Sequence, residues 1–360
     1  MFFHTLSEIQ SQPAAWQQAL SMTRAQAEAL KKLANGDYDQ VLFTGCGSTY
    51  YLSLAAATLF HELTGRPARA VPGGELLLNP QTVLQERRSF PKQRCDNPKI
   101  GTAFLNSDRT LLVAVSRSGT TTETLRAVEQ FQADRRGEVI VVTNYDSPLA
   151  SHGDVSIVIP AGQEASVAQT RSFASMYVAA SAFSAIAAGR EDLLEEMGNL
   201  PEIGDRLIRN YESLAREIGE NLAFDRFYFL GSGARYGLAC EVNLKMKEMT
   251  LTHSEPFHFL EFRHGPMSMV NERTVVVGLV SEKNALNETA VLNEMRALGG
   301  TILSLAENDG DVTFTSGLPD PARGVLYLPM LQLMAFYRSL AKGLNPDRPT
   351  NLTAVVKLAI

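Results

Sequence analysis

The chain carries the same pattern of strand, glycine turn and helix twice. Residues 41–63 read VLFTGCGSTYYLSLAAATLFHEL, and residues 227–249 read FYFLGSGARYGLACEVNLKMKEM, at an offset of 186 positions. Each segment opens with a continuous apolar run, passes through Gly-x-Gly and continues as an apolar helix, so that Tyr50 aligns with Tyr236. Continuous apolar strands that alternate with helices are typical of parallel sheets covered on both faces.

A second aligned pair of segments follows at a smaller offset. TLLVAVSRSGTTTETLRAV begins at Thr110 and TVVVGLVSEKNALNETAVL begins at Thr274, and Ser116 aligns with Ser281 at an offset of 165. The two copies together predict an α/β fold of two tandem, doubly wound parallel-sheet subdomains. Because the offset falls from 186 to 165, copy one holds about 21 extra residues, which we assign to residues 82–104. This basic, proline-containing insertion either lines the site or is a solvated loop.

The pattern divides the chain into four predicted parts. Residues 1–36 form an N-terminal helical lead-in, in which Pro13 marks a helix start. Residues 37–190 form the first subdomain and residues 191–345 the second, each with its own sheet. Residues 346–360 form a C-terminal tail.

Composition narrows the classes of partner. The chain has 360 residues, of which 45% are apolar and 20% are charged, and its net charge is −6 without a basic stripe. We therefore expect no nucleic-acid partner, although a cleft can still bind an anionic small molecule. Cys46, Cys95 and Cys240 lack Cys-x-x-Cys spacing, which indicates a reduced protein without a thiolate metal site. The sequence shows no signal-like start and no membrane-length apolar run, so we expect a cytoplasmic protein that does not enter membranes.

The turn after the strand at residues 111–115 is rich in hydroxyl groups. From Ser116 to Thr122, six of seven residues are Ser, Thr or Gly, and a helix is predicted to begin near Glu123. Backbone N–H groups at a helix start, together with hydroxyl donors, suit a phosphate. Helix capping alone needs only one hydroxyl, so this loop is predicted to bind an anion. The aligned segment of copy two, SEKNALNE, lacks the pattern, which predicts one anion site per chain.

The first glycine turn, FTGCGST at residues 43–49, is a weaker signal. Its Gly-x-Gly is followed by Tyr50, and no acidic residue follows at the spacing of a dinucleotide site, so we expect neither a dinucleotide nor another cofactor. The turn either lets a helix pack on the sheet or contacts substrate through Gly47, Ser48 and Thr49.

The helix of copy two carries three charged residues on one face. Glu241, Lys245 and Glu248 follow the i, i+4, i+7 spacing. Such spacing is usual for solvent-facing ion pairs, which contribute a few tenths of a kcal/mol. It also suits a catalytic set, and spacing alone leaves both interpretations open.

Three histidines follow this helix. His253 and His258 lack the His-Glu-x-x-His spacing, so no metal site is expected, and both are candidates for structural roles. His264 precedes Gly265-Pro266 and by itself would be part of an ordinary turn.

Taken together, these segments resemble the SIS (sugar isomerase) family. The likeness is to the isomerase half of glutamine–fructose-6-phosphate amidotransferase and to stand-alone amino-sugar-phosphate deaminases and isomerases, and it extends from about residue 8 to residue 357. Six ordered motifs carry it: FTGCGST, SRSGTTTET, QEASVAQTRSF, EVNLKMKEMTLTHSEPF, FRHGP and NPDRPTNLT.

The resemblance implies a site that holds a sugar phosphate. The phosphate ligands would be Ser116, Arg117 through its backbone, Ser118 and Thr121, and Val167 would belong to the sugar wall.

The resemblance also implies roles for the three catalytic candidates. Lys245 would assist ring opening or form an imine, and Glu248 would move a proton between C1 and C2. His264 would assist ring opening across the interface of a homodimer with a shared active site.

Two departures from the amidotransferase pattern guide the functional prediction. The chain has no room for a glutaminase before residue 41, and Ala354 stands where the family has a lysine. Lys357 lies three residues further on, and whether it substitutes is open. We therefore expect a deaminating isomerase that converts glucosamine 6-phosphate to fructose 6-phosphate and ammonia.

Alternatives remain within and outside enzymes. One is a deglycase of fructosyl-amine 6-phosphates, and another is an isomerase of a different anionic hexose, such as a sulfonated one. A non-catalytic sugar-phosphate sensor is disfavoured because Lys245, Glu248 and His264 are all present.

Overall fold

Across residues 2–84, 109–356 and 358, which a computed structural model describes, the chain forms two five-stranded parallel sheets. The strands of the first sheet are β1 (Gln40–Gly45), β2 (Ala68–Pro72), β3 (Thr110–Ser116), β4 (Val139–Thr143) and β5 (Val155–Val158). Those of the second are β6 (Arg226–Gly231), β7 (His253–Phe257), β8 (Thr274–Leu279), β9 (Thr301–Ala306) and β10 (Val312–Thr313).

The two sheets have the same strand order. The first runs β2-β1-β3-β4-β5, and the second, taken from its other end, runs β7-β6-β8-β9-β10. The glycine turns match as well, since Gly47 has φ 56° and Gly233 has φ 60°, a region that suits glycine. The predicted tandem of doubly wound parallel-sheet subdomains is confirmed.

Helices cover both sheets and join them. They are α1 (His4–Gln10), α2 (Gln12–Ala25), α3 (Ala27–Ala34), α4 (Ser48–Thr64), α5 (Gly73–Leu78), α6 (Pro80–Val83), α7 (Thr122–Ala133), α8 (Arg171–Ala187), α9 (Glu191–Glu196), α10 (Leu200–Glu220), α11 (Ala234–Thr250), α12 (Ala285–Ala297) and α13 (Leu328–Ala341). None of the described helices has the length and apolar character that crossing a membrane requires.

The two copies meet through the helices that follow their glycine turns. Helix α11 packs directly on α4, and α4 also packs on α8. Gly237 permits the close approach, because a Cβ there would lie 2.5 Å from the backbone nitrogen of Ala55 and 2.6 Å from the carbonyl oxygen of Tyr51. The contact between α4 and α11 therefore sets how the two sheets face each other.

The N-terminal helices are tied to the C-terminal tail. The Asp347 carboxylate accepts hydrogen bonds from the His4 and Thr5 backbone nitrogens, at 3.0 and 2.8 Å, at the start of α1. The boundaries proposed from the sequence for the four parts stay predictions. Residues 85–104 of the insertion and Lys357 lie outside the described residues.

We predict that Gly237→Val destabilises the protein by about 2 kcal/mol or more, because the new side chain would overlap the α4 backbone. Denaturant unfolding monitored by circular dichroism measures the change in midpoint. Gly74→Ala is the matched control, since a Cβ at Gly74 meets no atom within 4 Å. Equal midpoints for the two variants would contradict the assigned role of Gly237.

Candidate active site

The site lies at the carboxyl end of the first sheet, where β1 and β3 are neighbours. The chain leaves β1 toward β2 on one side and returns to β3 on the other, so a crevice opens between their carboxyl ends. The glycine turn and the hydroxyl-rich loop, as the segments that follow β1 and β3, both border this crevice.

The three residues predicted to contact sugar occupy different positions in the glycine turn. Gly47 is exposed, and a Cβ on it would meet no atom within 4 Å. The Thr49 hydroxyl accepts a hydrogen bond from the Cys46 nitrogen at 2.9 Å and donates one to the Cys46 oxygen at 3.0 Å, so it closes the turn. Ser48 is the first residue of α4 and is almost fully buried.

One hydrogen bond joins the two copies within the site. The Lys245 ammonium on α11 donates to the Ser48 hydroxyl at 3.1 Å, across 197 positions of sequence. Helix α11 is composed largely of good helix formers and ends at Thr250, and the next residue, Leu251, has a left-handed φ of 49°. The packing of α11 on α4 thus places copy two's lysine at the start of copy one's helix.

Lys245 lies between two carboxylates. Its Nζ is 2.5 Å from Glu248 Oε2 and 3.3 Å from Glu241 Oε1. The side chains of Lys245 and Glu241 are completely buried, and that of Glu248 is 20% exposed. The solvent-facing interpretation of this spacing is therefore wrong, because only Glu248 reaches the surface.

Burial and charge shift the pKa values of this cluster. Burial raises the pKa of Glu241 to about 8, repulsion from Glu248 adds to the shift, and attraction to Lys245 opposes it. Burial by itself would lower the pKa of Lys245, but the two carboxylates outweigh it, and the pKa of Lys245 is raised. Lys245 is consequently an ammonium at neutral pH, hydrogen-bonded to the one carboxylate of the cluster that reaches solvent.

The hydroxyl-rich loop has an ordered internal structure. The Ser116 hydroxyl accepts a hydrogen bond from the Gly119 nitrogen at 3.1 Å, and the Ser118 hydroxyl accepts one from the Thr120 nitrogen at 3.2 Å. Thr121 occupies the N-cap position of α7, but its hydroxyl makes no capping hydrogen bond. The loop therefore presents that hydroxyl beside the first N–H groups of α7, which lack partners within the helix.

The Arg117 side chain reaches from this loop to two other segments of the chain. Its guanidinium is buried and donates hydrogen bonds to the Val167 oxygen at 2.9 Å and the Ala354 oxygen at 2.7 Å. The first of these bonds connects Val167, which is predicted to belong to the sugar wall, to the hydroxyl-rich loop. The role of the Arg117 backbone in binding a ligand stays a prediction.

The contacts given for the three histidines in the described part of the chain do not include the cluster of Glu241, Lys245 and Glu248. His258 stacks on Tyr236, with ring centroids 3.9 Å apart, and burial lowers its pKa. His253 begins β7. The His264 residue is exposed, and within the described part of the chain no hydrogen bond or ion pair joins its ring to Lys245 or Glu248. The single chain thus assembles two of the three predicted catalytic groups.

Among residues 2–84, 109–356 and 358, no three His, Cys, Asp or Glu side chains cluster as a metal site would require.

Comparison with known proteins identifies the family. A model described as "SIS domain" matches residues 100–186 and 224–315, one segment in each copy. The chain belongs to the SIS domain family.

Relatives of this SIS chain include a protein much longer than it and solved chains of which it covers almost the whole length. The glutamine–fructose-6-phosphate aminotransferase (isomerizing) of Thermococcus kodakarensis is 28% identical over 98% of this chain, which spans only 57% of that relative's length. The structure of the C-terminal domain of glucosamine-fructose-6-phosphate aminotransferase from Francisella tularensis superposes with a TM-score of 0.78 at 21% identity, covering 97% of this chain and 99% of that one. A glucosamine-6-phosphate deaminase from Thermotoga maritima superposes with a TM-score of 0.71 at 27% identity, covering 95% and 100%.

Glu241 is a site residue that the sequence prediction did not include. It contacts Lys245 at 3.3 Å, and neither of its oxygens has a hydrogen-bond partner of good geometry among the described residues. Its position four residues before Lys245, with Cys240 and Val242 beside it, is the only sequence signal for this contact. That signal does not distinguish a buried carboxylate from an exposed one.

We predict that Glu241 makes the stability of the SIS chain fall as pH rises. Because its folded-state pKa of about 8 lies above the ordinary value of 4.5, the folded chain keeps a proton that the unfolded chain releases between these values. The free energy of unfolding therefore decreases from about pH 5 to pH 8. Thermal melting should show a melting temperature lower by roughly 5 °C at pH 8.5 than at pH 5.5.

Glu241→Gln is the control, because the amide cannot titrate. The variant should show a flatter pH dependence than the wild type over the same range. Parallel pH dependences for the two proteins would contradict the raised pKa of Glu241.

Proposed function

We propose that the protein is a phosphosugar aldose–ketose isomerase that releases ammonia, converting glucosamine 6-phosphate to fructose 6-phosphate. The hydrogen bond between Lys245 and Ser48 carries this proposal, because it brings the charged cluster of copy two to the crevice beside copy one's hydroxyl-rich loop. Ala354, at the position of the family lysine, and the likeness to the T. maritima deaminase support the deaminating direction.

The hydroxyl-rich loop would bind the phosphate. Hydroxyls of Ser116, Ser118 and Thr121, the backbone N–H of Arg117 and the N-terminal end of α7 supply donors and a favourable dipole. With the phosphate bound there, the sugar would extend past Gly47 and Ser48 toward α11.

Glu248 would be the base that moves the proton. In the open-chain aldehyde, its carboxylate removes the proton from C2, and the electrons of that bond form a C1–C2 double bond while O1 gains a proton. The same carboxyl group returns the proton to C1, which leaves an iminium at C2. Water adds to C2 and ammonia leaves, so the products are fructose 6-phosphate and ammonia.

Lys245 would act as an ammonium. Paired with Glu248 at 2.5 Å and with a raised pKa, it stabilises negative charge on the sugar oxygens in the transition state. An amine that forms an imine must be uncharged, and this environment favours the charged form.

We predict that borohydride reduction in the presence of fructose 6-phosphate and ammonia leaves Lys245 unmodified. Mass spectrometry of the peptide that contains Lys245 measures the adduct, and reduction of a known imine-forming aldolase serves as the positive control. A reduced sugar adduct on Lys245 would contradict the ammonium role.

We predict that Glu248→Gln lowers turnover of glucosamine 6-phosphate by about 10²–10⁴-fold, because the amide cannot accept the C2 proton. Coupled assays of fructose 6-phosphate and ammonia measure the loss. Glu62→Gln is the matched control, since Glu62 occupies the aligned position on α4 and is exposed. Wild-type turnover by Glu248→Gln would exclude Glu248 as the base.

The products also separate the alternative activities. Deuterium uptake at C2 of the substrate without release of ammonia would indicate plain isomerisation. Turnover of fructosyl-amine 6-phosphates alone would indicate a deglycase. Ligand binding without turnover of any sugar phosphate would indicate a sensor.

We further propose that the protein is a homodimer in which the partner supplies His264. The exposure of His264, and the absence among described residues of a bond between its ring and the cluster, support this arrangement.

We predict that mixed dimers of Glu248→Gln and His264→Asn subunits recover about half of the wild-type turnover, because one of their two sites then has neither defect. Co-expression with two affinity tags isolates the mixed dimers, and each variant alone is the control. If mixed dimers are as inactive as the parent variants, or if sedimentation shows a monomer, His264 does not act across an interface.

A further inference from the structure

We propose that the Arg117 side chain is a positioning residue that holds both the segment 163–170 and the C-terminal segment (residues 350–356 and 358) against the hydroxyl-rich loop. This inference rests on the proposed function, since it concerns how the walls of that site are held. The Arg117 backbone belongs to the loop that would bind phosphate, whereas its guanidinium lies among carbonyl groups of two other segments.

The guanidinium is placed to join three parts of the chain. Its Nη1 donates to the Val167 oxygen at 2.9 Å and lies 3.7 Å from Glu164 Oε2, and its Nη2 donates to the Ala354 oxygen at 2.7 Å. The Arg117 and Glu164 side chains are 8% and 0% exposed. A planar group with five donors can reach acceptors in different directions at once, which a lysine cannot do.

Other contacts also hold the segment 163–170. One of them leads to the hydroxyl-rich loop through Asn144, whose oxygen accepts a hydrogen bond from the Gln163 side chain at 3.0 Å and whose nitrogen donates to the Arg117 oxygen at 3.2 Å. The Glu8 carboxylate on α1 accepts a hydrogen bond from the Ala165 nitrogen at 2.6 Å. Glu164 accepts one from the Thr170 nitrogen at 2.7 Å, and the Val167 nitrogen donates to the Asp347 oxygen at 3.0 Å. The Arg117 guanidinium is a direct side-chain link between this segment and residues 116–121.

The C-terminal segment has fewer anchors. Thr353 and Ala354 are exposed, and besides the bond to Arg117 the Leu358 nitrogen donates to the Thr122 hydroxyl at 3.1 Å, at the first residue of α7. Exposed backbone with few buried contacts opens readily. Loss of the Arg117 guanidinium should therefore release this segment from the site.

The two roles of Arg117 can be separated experimentally. Its backbone N–H survives substitution by any residue except proline, so affinity for phosphate should persist while the walls around the sugar loosen. Hydrogen–deuterium exchange of peptides covering 163–170 and 350–358 measures the walls without requiring turnover. Arg117→Gln should speed exchange in both segments by about tenfold.

Arg117→Lys and Arg126→Gln complete the exchange series. Arg117→Lys keeps the cation near Glu164 but cannot bond both carbonyls, so one segment should stay protected and the other should exchange faster. Arg126→Gln, on the exposed face of α7, should exchange as the wild type does. If Arg117→Gln fails to fold, the exchange of Arg117→Lys alone decides. Exchange at the wild-type rate in both segments of the folded variant would overturn the proposal.

Measurements of phosphate binding and of kcat/KM distinguish a positioning role of Arg117 from direct contact with the phosphate. For Arg117→Gln, calorimetric affinity for inorganic phosphate should change less than threefold, while kcat/KM for glucosamine 6-phosphate falls about tenfold or more. A parallel loss of phosphate affinity would make Arg117 a phosphate ligand and overturn the proposal. If the wild type shows no turnover, the proposed function fails, but the exchange results still decide the role of Arg117.

Discussion

The buried Lys245 ammonium is the interaction on which the rest of the site depends. It is held by the Ser48 hydroxyl of copy one and, on its own helix, by the Glu248 carboxylate and the buried carboxyl group of Glu241. Removing one partner of a buried ion pair typically costs about 3–5 kcal/mol, because a charge is left uncompensated. Of these contacts, the hydrogen bond to Ser48 is the one that joins α11 to α4, and it fixes where the charged groups meet the crevice.

The duplicated fold uses its two copies for different chemistry. In copy two, the segment aligned with the hydroxyl-rich loop binds a carboxylate of its own: Glu288 Oε2 accepts hydrogen bonds from the Ser281 nitrogen and hydroxyl, at 2.6 and 2.9 Å. Glu288 is almost fully buried, and burial raises its pKa. An internal carboxylate thus occupies the donors that would otherwise face an anion, which agrees with the prediction of one anion site per chain.

The sequence predicted the fold well because the signal was repeated. Two aligned glycine turns and two continuous apolar strands specify the topology, and Thr121 at the start of α7 follows from local hydroxyl chemistry. Burial of Glu241 and Lys245 did not follow, because the same spacing also occurs on exposed helices. The decisive neighbour, Ser48, is 197 positions away from Lys245 and is reached only through tertiary packing.

The direction of the Arg117 side chain and the role of His264 do not follow from the sequence pattern. The side chain of Arg117 could have pointed toward a ligand or away from it, and only the folded chain shows it bonded to Val167 and Ala354. His264 remains a prediction for the same reason, because its role depends on a second subunit.

A crystal structure with a hexitol 6-phosphate, an acyclic compound that cannot react, tests the composite site most directly. We expect the phosphate oxygens of this compound within hydrogen-bonding distance of Ser116, Ser118 and Thr121, and a Glu248 oxygen about 3–3.5 Å from its C1 or C2. Phosphate bound away from residues 116–121, or a carbon chain directed away from α11, would contradict it.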